Sequence, residues 1–166
     1  MFELKPLSPE GVAPALKKAE RYRLLNEPFE AESICRDILE IEPENQDALT
    51  ALILALTDQF ASEGGARISD ATELLPQLRG DYSQAYYAGI ICERRGEAYL
   101  RKLAVGAGPI AYDWLRKAMA HYERAESASP EANDDAILRW NTCARMIMKH
   151  GQLVPSEAPR PPVLLE

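Results

Sequence analysis

A proline that halts one amphipathic helix, followed within a few residues by the start of another, leaves a chain with few ways to fold. The stretch Ile38–Leu49, ILEIEPENQDAL, has this form. Upstream of it Ala31, Ile34, Cys35, Ile38 and Leu39 recur at the spacing of one helix face, and Pro43 closes the period. Asp47 then opens a helix with Leu49, Leu52, Ile53 and Leu56 on one side. Before Pro28, Leu16, Ala19, Tyr22 and Leu25 mark a first helix, with Lys17, Lys18, Glu20, Arg21 and Arg23 on its wet face. Pro14 suits the first turn of that helix, where its missing N–H costs nothing. A start at Ser8-Pro9 would instead make Pro14 a kink. The helix is expected to end near Asn26, because Glu27 precedes proline and is pushed towards extended geometry. The first two helices form an antiparallel hairpin with a tight turn, and the next pair begins directly after Pro43.

Further along, FASEGGAR at 60–67 reads as a loop through Gly64-Gly65. ISDATELLPQLRGDY carries a short helix broken at Pro76. A long helix is predicted from Tyr82 to Leu103, a loop over AVGAGP at 104–109, and another helix from Ile110 to Ala128, before Pro130. The last helix starts at Asn133 or Asp134, either of which can cap it. It is expected to carry Ile137, Trp140, Ala144, Ile147 and Met148 and to stop at Gly151 as a C′ glycine. No segment alternates as a strand does, so the fold class is all-α, one helical domain over 1–150. The proline-rich tail 151–166 is expected not to pack independently, its last residues being disordered, a docking strap, or partly a cloning remnant.

The formal net charge of −7 repels phosphate backbones and anionic lipid, which argues against nucleic acid and membrane surfaces as partners. The N-terminus lacks a basic segment followed by an apolar core, so no signal peptide is expected, and no apolar run spans a bilayer. Three widely separated cysteines, Cys35, Cys92 and Cys143, do not make a disulfide framework and fit a reducing cytoplasm.

Two segments share one spacing. Ala31, Cys35, Ile38 and Pro43 stand 4, 3 and 5 apart, as do Ala118, Tyr122, Ala125 and Pro130. A small residue for close helix approach, a bulky one to fill a groove, another small or medium one and a proline stop together make a packing code. With Ala19 and Tyr22 in the preceding helix, the segment Val12–Asn45 resembles a tetratricopeptide repeat. LEIEPEN is similar to that family's repeat-ending LELDPNN, whereas Cys35 stands where the family has an aromatic and Ala15 where it has a bulky residue. Pro43 and Pro130 are 87 residues apart, about 19 more than two 34-residue units require. The extra residues fall around ASEGGAR and AVGAGPIAY, so the middle repeat is irregular. The resemblance implies about three stacked antiparallel hairpins, with the helix at 133–150 as the solvating cap such stacks need.

It also implies a concave groove lined by the first helix of each repeat, suited to a peptide or partner protein. Carried over by position, the lining is Leu16, Glu20 and Arg23 in the first repeat, and Thr50, Leu54 and Thr57 in the second. In the third it is Tyr86, Ile90 and Glu93, with Arg94 nearby. The Lys and Asn with which some members clamp a C-terminal carboxylate are replaced here by Leu16 and Glu20, which argues against binding of chaperone tails. The expected role is a non-catalytic, adaptor- or chaperone-like interaction module without cofactor. The alternative is a self-assembling scaffold that forms a homo-oligomer through its repeat surface or tail.

Sharper readings each meet a simpler one. YYAGIICERR, 86–95, could present tyrosines and arginines to a ligand, yet helical spacing explains Ile91 and Cys92 as core, and Gly89 suits close helix approach. Trp114 and Trp140 could anchor an interface but more often fill helix contacts. His121 and His150, the two histidines, have no HxxxH, HExxH or CxxC partner spacing, so no metal site is expected. Asp134-Asp135 and the acids of EIEPEN suit helix N-termini rather than acid–base catalysis. Gly64-Gly65 lacks the context of a phosphate loop. None of these supports an enzyme.

Overall fold

In the computed structural model, which describes residues 2–102 and 106–156, seven α-helices and two short 3-10 turns account for all regular structure, and there is no strand among the described residues. The helices are α1 (Val12–Leu24), α2 (Pro28–Ile41), α3 (Gln46–Asp58), α4 (Ile68–Thr72), α5 (Asp81–Arg101), α6 (Ala107–Ser127) and α7 (Asp135–Lys149). The 3-10 turns are Pro9–Gly11 and Leu75–Gln77. No helix among the described residues is long and apolar enough to cross a membrane.

Local chemistry sets the boundaries. Both readings of the first helix hold in part: Pro9 opens a 3-10 turn, and Pro14 sits in the first turn of α1 with no helix broken. The helix ends in a Schellman arrangement. Asn26 takes φ +60, the Asn26 N–H donates to the Arg23 carbonyl at 3.0 Å, and the Glu27 N–H donates to that of Tyr22 at 2.9 Å. Pro28 then occupies the first position of α2. The Asn45 side chain caps α3 by accepting from the Ala48 N–H at 2.9 Å. Pro76 lies in the second 3-10 turn, after α4 has stopped.

Two boundaries differ from expectation. α6 begins at Ala107 rather than Ile110, because Pro109 fits a first turn that Gly106 enters at φ 78. The expected end of the preceding helix at Leu103 lies outside the described residues. Gly151 does not adopt the left-handed conformation; α7 closes through His150, whose N–H donates to the Met146 carbonyl at 3.1 Å. The bond that supports the start of α7 comes from Asn133, whose Oδ1 accepts from the Asp135 N–H at 3.1 Å. The inward face of α7 matches the expected one in part: Trp140, Ala144 and Ile147 pack on the second core, whereas Ala136 and Cys143 are its fully buried members and Ile137 is 37% and Met148 76% exposed.

Helices adjacent in sequence pack on each other: α1 on α2, α2 on α3, α5 on α6, and α6 on α7. α1 also touches α3, and α3 touches α5, so these three helices are neighbours across the molecule. A first core gathers Ala19, Ala31, Cys35, Leu52, Ile53 and Leu56. A second gathers Ile90, Leu115, Ala118, Met119, Tyr122 and Cys143, and Tyr87 packs against both. All six residues before the prolines of the two 4-3-5 series are buried: Ala31, Cys35 and Ile38, and Ala118, Tyr122 and Ala125. The α5–α6 interface is the most extensive, because glycine brings the helices together. The Tyr122 ring lies where a Cβ on Gly89 would be, and a Cβ on Gly96 would come within 3.2 Å of the Ala111 carbonyl oxygen and of Leu115.

The tail does not leave the body at residue 151. Leu153 is buried in the second core, and the Gln152 carbonyl occupies the space a side chain on Gly108 would need. An apolar residue four positions after a helix end has enough reach to bury its side chain, which the proline content of the segment concealed. Residues 157–166 lie outside the described ones.

Candidate functional site

The expected lining residues separate into four groups. Ile90 and Glu93 are 2% and 1% exposed and offer no surface to a partner. Leu16, Leu54 and Tyr86 are half-buried and packed on the cores, and Tyr86 stacks on Tyr82 with ring centroids 5.6 Å apart. Thr50 spends its hydroxyl on the Asp47 carbonyl, and Glu20 stands exposed on α1. The remaining three, Arg23, Thr57 and Arg94, come together in one hollow.

This hollow has a volume of about 380 Å³ and opens where α1, α3 and α5 meet. α1 and its turn bring Arg23, Leu24 and Asn26, the start of α2 brings Pro28, α3 brings Thr57 and Asp58 with Ala61 just beyond, and α5 brings Arg94, Glu97, Ala98 and Arg101. The α5 residues face one way because 94, 97, 98 and 101 follow the three- and four-residue steps of a helix face. Arg23 Nε donates to Asp58 Oδ2 at 2.8 Å, tying α1 to α3. Arg94 lies 3.9 Å from Asp58 and 3.6 Å from Glu97, and Arg101 lies 3.7 Å from Glu97. These longer separations are ion pairs without hydrogen-bond geometry. Arg94 Nε is buried and has no hydrogen-bond partner among the described residues. The hollow therefore holds a guanidinium whose donor capacity is largely unspent.

Its charge opposes that of the whole chain. Three arginines against two carboxylates leave a positive centre in a protein of net charge −7. Burial raises the Glu97 carboxyl above its ordinary range, and Arg94 opposes that rise. Leu24, Pro28, Ala61 and Ala98 supply apolar wall beside the charges. Asp58, Glu97 and Arg101 were not among the expected lining residues. The step from Arg94 to Glu97 to Arg101 was visible in the sequence as one helix face, whereas the approach of α1 was not.

A second polar group centres on the buried carboxylate of Glu93. The Tyr122 hydroxyl donates to Glu93 Oε2, and Arg139 Nη1 lies 3.1 Å from Glu93 Oε1. Burial, then the charge of Glu93, hold the Tyr122 hydroxyl protonated far above the ordinary tyrosine range. This group joins α5, α6 and α7, and each Glu93 oxygen has a donor. Trp140 donates to Glu123 at 3.0 Å, and Lys117 sits 4.6 Å from the Trp114 ring centroid, so both indoles make contacts within the chain. Burial pushes the Cys35 and Cys92 thiols up to about 11 and raises Cys143 further; all three cysteines are free and buried. Comparison with family models, curated proteins and solved structures gave no match to this chain.

Proposed function

We propose that this chain is a non-catalytic interaction module, built of stacked helix hairpins similar to tetratricopeptide repeats, that holds a peptide or partner protein on the surface shared by α1, α3 and α5. The observation that carries the reading is the hollow at their junction, where Arg23, Thr57 and Arg94 meet from three helices. The neighbouring positions of α1, α3 and α5 and the burial of both 4-3-5 series support the repeat-like part of the reading. A cytoplasmic setting suits three free, buried thiols. Binding energy would come from desolvated apolar contacts, with the arginines setting specificity.

The test combines sedimentation with capture. The wild-type protein should sediment as a monomer and retain a protein partner from cell lysate, and Arg23→Ala should lose that partner. A concentration-independent dimer with no partner retained would favour self-assembly instead. That second reading draws on apolar side chains left exposed at both ends of the helix series, with Leu24 88% and Phe29 69% exposed near the first turn and Leu138 61% and Met148 76% on α7.

A further inference from the structure

We infer that the outer face of α7 is a self-association surface, on which a second copy of this chain lays its own α7 antiparallel to the first. The inference goes beyond the interaction-module reading and does not rest on it, because α7 does not line the hollow.

Three observations carry it. The first is the face itself. Ala136 and Cys143 are buried where α7 packs on α6, and no helix follows α7 among the described residues. The opposite side carries Ile137, Leu138, Asn141 and Met148, spaced at the steps of one helix face. The three apolar members are exposed. Large apolar side chains gathered on one open face mark an interaction surface, and a terminal helix without a polar outer side leaves that face to be covered. The second observation is charge. α7 opens at Asp134 and ends with Arg145 and Lys149, all exposed, and none of these three forms an ion pair among the described residues. A helix acidic at its start and basic at its end complements its own reverse. Antiparallel pairing sets Asp134 of each copy beside Lys149 of the other and opposes the helix dipoles, whereas parallel pairing sets like charges together. The third is register. A two-fold axis between Asn141 and Ala144 brings Met148 of each copy against Ile137 and Leu138 of the other, in the same alignment that joins the charges. Such a contact is isologous and closes as a dimer. Two turns of one helix bury well under the roughly 800 Å² per partner of a stable complex, so the dimer is weak, with a Kd of about 0.1–1 mM. At micromolar concentration the monomer prevails, and the α1–α3–α5 surface stays open in both states.

Sedimentation equilibrium of the full chain tests this. From about 10 µM to about 2 mM the average mass should rise from that of a monomer towards that of a dimer. Met148→Glu and Leu138→Glu, both on exposed side chains, should each weaken the dimer about tenfold and leave the urea midpoint unchanged. Asp134→Lys and Lys149→Glu should each weaken it too, because each sets like charges together across the axis. An equimolar mixture of those two variants should associate as the wild type does, since opposite charges then meet at both ends of the seam. A chain that stays monomeric throughout overturns the inference. So does a dimer indifferent to both Met148→Glu and Leu138→Glu, or a pair of charge variants that does not recover on mixing. A monomeric wild type whose partner from lysate is lost on Met148→Glu assigns the face to another protein and also overturns it. The module reading fails by a different result, the absence of any partner retained by the wild type.

Discussion

Arg139 Nη1 of α7 lies 3.1 Å from Glu93 Oε1 of α5, while the other Glu93 oxygen accepts the Tyr122 hydroxyl of α6. One carboxylate thus holds three helices from a position 1% exposed. A charge in such a place is tolerated because each oxygen has a donor, and removing one donor leaves the other carrying the full desolvation cost. Arg139 is itself a third exposed, so water screens part of the interaction. Arg139→Met should therefore destabilise by about 2 kcal/mol, the lower part of the range for bonds to buried charges. Glu93→Gln should make the same Arg139 change nearly silent. Urea unfolding of the two single variants and the double variant measures the coupling, and additive losses would mean the pair is incidental.

Gly89 and Tyr122 give a second, sharper test of the α5–α6 seam. Alanine in a helix interior is normally about 1 kcal/mol better than glycine. Here the added methyl would occupy the space of the Tyr122 ring, a contact made inside a packed core. Overpacking of this kind costs about 1–3 kcal/mol, which outweighs the propensity gain. Gly89→Ala should lower stability by about 1–2 kcal/mol, seen as a lower urea midpoint. Gly151→Ala, where a Cβ meets nothing within 4 Å, should leave the midpoint unchanged.

These tests show how far the sequence could be read. The stop of α1 near Asn26, ahead of Pro28, was legible because a proline acts on its own turn; the Asn45 cap and the entry of α6 through Gly106 were not read from the sequence. The face of α7 was legible in part. Trp140, Ala144 and Ile147 pack on the second core as expected, but Ile137 and Met148, which look like core residues by hydropathy, are exposed, and the small Ala136 and Cys143 are buried in the close α6–α7 contact. Leu153 was hidden for a related reason: nothing local says that a chain passing Gly108 will turn inwards. The α5 half of the hollow was readable as the 94–97–101 face. The Arg23–Asp58 pair was not, since its two members are 35 residues apart and only the packing of α1 on α3 joins them.

The cysteines predict a pH dependence with a definite sign. Burial pushes Cys35 and Cys92 from their ordinary range up to about 11. In the unfolded chain both thiols ionise near pH 9, while in the fold they remain protonated until about pH 11. The unfolded state thus loses protons first, and stability should fall as pH rises across that window. At pH 8 a disulfide reagent should label all three cysteines readily in denaturant and only slowly in the native protein. Fast labelling of a single thiol in the native state would show that one site opens locally.

Glu97 is the acid that Arg94 and Arg101 share, at 3.6 and 3.7 Å, and burial disfavours its charged form. A carboxyl raised in this way costs the fold stability as pH rises through the carboxylate range, because the unfolded chain gives up the proton first. Glu97→Gln removes that penalty and keeps the shape, so it should raise the urea midpoint at neutral pH and flatten the fall in stability across the carboxylate range. Urea unfolding of wild type and Glu97→Gln, in mild acid and at neutral pH, reads this directly. A lower midpoint for Glu97→Gln at neutral pH would mean that the ion pairs with Arg94 and Arg101 outweigh the burial of the charge.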